Sequence, residues 1–69
     1  MNYKQIYKAQ IDDLFNDQSH SIIKMVIYIN KRYEKMPDDF KEASKKLKDY
    51  EKNEIITRAY INYEFDKHA

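Results

Sequence analysis

Apolar side chains recur along this chain at helical spacing, and the register of that recurrence slips once, near Asn53. From Phe40 the series runs Phe40, Ala43, Leu47, Tyr50; beyond the slip it runs Ile55, Ile56, Ala59, Tyr60, Tyr63. At about 100° per residue the second series is centred about 150° round the axis from the first. The chain therefore either breaks near Asn53 or continues as one helix that changes which face it buries. In the second case one half packs on the parent fold and the other half on something else.

Two earlier segments show the same periodicity. Tyr3, Ile6, Tyr7, Ile11, Leu14 and Phe15 follow 3-and-4 spacing and predict a helix over Tyr3–Phe15. Asn16-Asp17-Gln18-Ser19 is turn chemistry, and Ser19 or Ser21 can cap the next helix. Ile22, Val26, Ile29 and Tyr33 form the main stripe of that second helix, Ser21–Met36, with Ile23, Ile27 and Tyr28 well off the stripe. A helix so apolar is either the centre of a bundle or the bearer of a second contact face. Met36-Pro37-Asp38-Asp39 starts a third helix: proline suits the first helical position, and carboxylates suit the positive end of the helix dipole. That helix is expected to reach Tyr50 or Lys52. Residues 54–66 also alternate at period two, through Ile55, Thr57, Ala59, Ile61, Tyr63 and Phe65, but a strand there lacks an evident partner, and helix is preferred.

The expected fold is all-α, a single domain over residues 1–69. It is a small three-helix bundle whose third helix is long or broken near Asn53 to give a short fourth. Composition agrees. The chain has no glycine and one proline, so hairpin turns are disfavoured. It has no cysteine, so neither a disulfide nor a thiolate metal site stabilises it. A chain of 69 residues buries only about 60% of its unfolded surface, so helix packing or a partner must supply the rest. The longest apolar run, Met25–Ile29, is far below the roughly 20 residues that span a bilayer. The polar Met1–Gln5 start lacks a signal-peptide core, and a cytoplasmic protein is expected. Lys, Ile, Asn, Tyr, Phe and Met, residues of AT-rich codons, make up over half the chain, which points to a bacterial or phage gene.

Candidate chemistry is sparse. Glu64 and His68 stand i,i+4, but two ligands do not make a metal site. His20 between Ser19 and Ser21 cannot adopt triad geometry in a turn. Asp12, Asp13 and Asp17 lack an EF-hand pattern, and no phosphate loop exists without glycine. No catalytic, cofactor or metal residue is assigned, and no small-molecule substrate or membrane partner is expected.

Net charge is +1, which favours neither polyanions nor strongly basic partners. Lys41, Lys45, Lys48 and Lys52 nevertheless line one side of the expected third helix over about 16 Å, a row that suits a phosphate backbone. The seven tyrosines favour a protein interface, where tyrosine is enriched. Ile23, Ile27, Tyr28, Ile56, Tyr60 and Tyr63 are the expected contact residues. The function these features favour is non-enzymatic binding of another protein, as an adaptor or stoichiometric inhibitor, with a second copy of the chain as the same surface's other occupant. Nucleic-acid binding through the lysine row is the alternative.

Overall fold

A computed structural model describes residues 2–68. They form four α-helices, α1 (Tyr3–Asp17), α2 (Ile22–Arg32), α3 (Asp38–Lys46) and α4 (Asp49–His68), with a single 3₁₀ turn, Tyr33–Lys35, between α2 and α3. The segment that also alternates at period two is helical throughout.

The start of α1 is held by a capping box. Asn2 Oδ1 accepts from the Gln5 amide at 2.8 Å, and Gln5 Oε1 accepts from the Asn2 amide at 3.3 Å. Its end is a Schellman turn made without glycine. The His20 amide donates to the Phe15 carbonyl at 2.8 Å, and Ser19 and His20 both have φ of 59°. That left-handed backbone costs roughly 1–2 kcal/mol per residue with a Cβ. Ser21 then caps α2, its Oγ accepting from the Lys24 amide at 3.2 Å.

The α-helical part of α2 stops at Arg32, four residues before the Met36 end expected from periodicity. Met36 precedes Pro37 and is extended, as the proline ring requires, and the 3₁₀ turn bridges the gap. Tyr33 donates its hydroxyl to the Lys41 carbonyl, and Lys41 Nζ donates to the Glu34 carbonyl, both at 3.3 Å, so the turn is clamped onto α3. Pro37 caps α3 rather than opening it, and Asp38 and Asp39 occupy the first turn.

The break after α3 falls at Leu47–Lys48, not near Asn53, which lies inside α4. The third helix is therefore 9 residues long and the fourth, expected to be short, is 20. Leu47 is extended and buried, so the chain steps sideways there and absorbs the slip in register. The new helix starts with half a capping box: Glu51 Oε1 accepts from the Lys48 amide at 3.0 Å. Lys4 lies 3.5 Å from the same carboxylate and ties the start of α4 to the start of α1.

The core is built around α1. Tyr7, Ile11, Leu14 and Phe15 are buried there, against Phe40, Ala43 and Leu47 of α3 and its exit. The Tyr7 and Phe40 rings stack with centroids 5.1 Å apart. Only Met25 of α2 is buried, and α4 has no buried residue among those described. It is α1, rather than the more apolar α2, that contacts α2, α3 and α4. α2 is therefore not the centre of the bundle, and Ile23, Val26 and Ile27 on it stay exposed.

Candidate functional site: two exposed apolar faces

On α2, Met25, Ile22 and Ile29 turn toward the core. Ile23 and Ile27 stand one turn apart on another side, 74% and 49% exposed. Val26, 39% exposed, lies between the two sides and lines a groove of about 240 Å³ with Ile29, Asn30, Asn53, Ile56 and, at its floor, Tyr7. Beyond Ile27 a second hollow, about 310 Å³, is formed by Ile27, Tyr28, Lys24, Lys31, Arg32 and Gln18. Tyr28 is half-buried, and the Arg32 guanidinium lies 5.5 Å over its ring.

On α4 the apolar residues fall on two opposite sides, so the helix has almost no net amphipathic direction. Ile55, Ile56, Ala59 and Tyr63 pack on the core. Tyr50, Thr57, Ile61 and Phe65 recur at helical spacing on the far side. Tyr50, Ile61 and Phe65 are 65%, 56% and 74% exposed. Thr57 bridges them, so sequence reasoning that counts only apolar residues misses the stripe. Spacing alone puts Tyr50 in the inner series with Leu47, and the step at Leu47 turns it outward.

The six expected contact residues thus separate. Ile23 and Ile27 are outward, and Tyr60 is partly outward at 40%. Ile56 and Tyr63 are partly buried against the core. Tyr63 meets Phe15 edge-on at 5.9 Å and lies flat on His20 at 4.0 Å. Tyr60 meets Phe15 edge-on at 6.2 Å, and the Glu64 carboxylate beside it pushes its phenol above the ordinary value. His20 is a packing element, a role that sequence reasoning does not identify.

The lysines separate as well. The row spans α3, its exit and α4 rather than one helical face. Lys41 is committed to the 3₁₀ turn and to Asp38 at 3.6 Å. Lys52 donates to the Ser44 carbonyl at 3.1 Å, satisfying an otherwise open carbonyl near the end of α3, and lies 3.5 Å from Asp49. Lys45 and Lys48 are exposed. Glu64 and His68 meet at 3.3 Å, and among the described residues no cluster of three possible metal ligands forms. No described helix is long and apolar enough to cross a membrane.

Compared with protein-family models, curated proteins and solved structures, the chain matches none of them.

Proposed function

We propose that this chain is a non-enzymatic protein-binding module, a small adaptor or stoichiometric inhibitor that engages its partner through the outer side of α2. The observation that carries the reading is the exposure of Ile23 and Ile27 on a helix that gives the core one buried side chain. Burying such a side chain on a partner yields about 1.5–3 kcal/mol, and two adjacent ones form the centre of a small hydrophobic contact. The groove between Val26 and Ile56 continues that surface toward α4. An AT-rich bacterial or phage gene, acting in the cytoplasm, suits an inhibitor of this size.

The outer stripe of α4 supports a second use of the same chemistry, self-association through Tyr50, Ile61 and Phe65. Sedimentation at micromolar concentration separates the two. A monomer that loses its partner on Ile27→Asp supports hetero-binding. A dimer that survives Ile27→Asp and dissociates on Ile61→Asp supports self-association.

A further inference from the structure

The exposed side of α2 combines apolar side chains with positive charge and no carboxylate of its own. From Ile22 to Arg32 the helix holds Lys24, Lys31 and Arg32 and no carboxylate. Five other cations are answered within the fold, in Lys4–Glu51, Lys8–Asp12, Lys41–Asp38, Lys52–Asp49 and Arg58–Glu54, whereas Lys35, Lys45, Lys46, Lys48 and Lys67 are in no ion pair among the described residues. None of the ion pairs among the described residues includes Lys24, Lys31 or Arg32. These three rim the hollow whose apolar wall is Ile27 and Tyr28, and Ile23 lies one turn from Ile27. At about 100° per residue Lys24 and Lys31 lie beside Ile27 on α2, a helix about 16 Å long, while Arg32 lies farther round the axis over Tyr28.

We infer that this side of α2 docks an acidic amphipathic helix of a partner protein. Its apolar stripe covers Ile23 and Ile27, and its flanking carboxylates meet Lys24 and Lys31. Charge complementarity selects this occupant. A phosphate backbone gains nothing from burying two isoleucines. A bilayer surface takes up a broad apolar face, and here the most exposed apolar residues of α2, a helix of 11 residues, are two isoleucines. The inference rests on the proposed protein-binding role and adds the partner's shape and sign.

The test is selection from a displayed library of 16-residue peptides against the whole protein, followed by amide chemical-shift mapping of the best binders. The expected binders are helical with net negative charge, and they shift amides in 22–32 at least as strongly as any others. Their affinity falls steeply with salt and drops at least tenfold in Lys24→Glu/Lys31→Glu, two exposed changes that leave the fold intact. Basic or neutral binders, binders that map to α4, or indifference to Lys24→Glu/Lys31→Glu overturn the acidic-helix inference while leaving protein binding in place. No binders at all overturn both. Co-sedimentation with vesicles containing phosphatidylserine, in the absence of peptide binders, replaces this inference with a membrane surface.

Discussion

The His20 imidazole lies flat against the Tyr63 ring, centroids 4.0 Å apart and planes 10° from parallel. Its other contact is the Phe15 ring, edge-on at 5.3 Å. His20 is also the residue whose amide closes the Schellman turn onto Phe15. One side chain thus links the end of α1, the left-handed turn before α2 and the C-terminal half of α4. Aromatic pairs add about 0.5–1.5 kcal/mol beyond area burial, which offsets part of the cost of a left-handed turn made without glycine.

Substitution at this turn is expected to act in two directions. His20→Ala removes the rings' shared partner and lowers stability by about 1 kcal/mol. Ser19→Gly relieves the positive φ and raises it by up to about 1 kcal/mol. Urea unfolding of the two variants and the parent measures both, and loss of stability in Ser19→Gly contradicts the account of the turn.

The junction at Leu47–Lys48 makes a pH-dependent contribution through Glu51. The Lys48 amide donated to this carboxylate, chiefly, and Lys4 next to it hold its pKa below the ordinary glutamate value, against a smaller upward push from burial. A group whose folded pKa is depressed adds stability above its unfolded pKa, about 4.3, and that contribution is lost as pH falls through the folded value. Glu51→Gln is therefore expected to lower stability at pH 7 and to flatten its decline in acid. Thermal melts from pH 7 to pH 3 read this directly. A parallel decline in parent and variant removes Glu51 from the explanation.

The outer stripe of α4 is expected to contribute nothing to folding. Ile61→Ser and Phe65→Ser should each leave unfolding free energy within about 0.5 kcal/mol of the parent, the range of ordinary surface changes. Leu47→Ala, by contrast, empties a buried site at the junction and is expected to cost about 2–3 kcal/mol. A large loss from either α4 change would mean that the stripe is buried in the folded chain.

Nucleic-acid binding through the lysines makes a separate prediction. With Lys41 and Lys52 engaged inside the fold, Lys45 and Lys48 are left to carry it. Affinity for a DNA duplex should then be weak, fall steeply with salt, and vanish in Lys45→Glu/Lys48→Glu. A flat salt response removes this alternative.

The inner face of α1 is legible in the sequence, because Tyr7, Ile11, Leu14 and Phe15 keep 3-and-4 spacing, but the helix runs on to Asp17 through Asn16 and Asp17, which read as turn residues. The start at Pro37 and the acidic first turn of α3 are legible too. The slip in register is legible, but its position is not. Lys48 caps α4 without a side-chain oxygen, Leu47 breaks the helix without glycine or proline, and Lys45–Lys52 has no residue hostile to a helix. The two exits therefore look alike, at Leu47 and six residues later. On α2 the wide apolar arc fits either a central helix or a second face, and Ile23 and Ile27 cannot be told from core residues until α1 is seen to be the hub. Tyr63 shows the converse: its displaced bearing suggests an interface, and a histidine forty-three positions away in the chain supplies its partner.

The central claim is that Ile23 and Ile27 form a binding surface, and one comparison tests it most directly. The parent chain and its Ile27→Asp variant are each used to capture protein from the cell of origin, with retained partners quantified by mass spectrometry and helicity of both baits checked by circular dichroism. The account predicts equal helicity and at least a tenfold loss of a stoichiometric partner in the variant, about 1.4 kcal/mol, since Ile27→Asp both forfeits the burial of a half-exposed isoleucine and sets an unpaired carboxylate in an apolar contact. Equal recovery of that partner by both baits would contradict it.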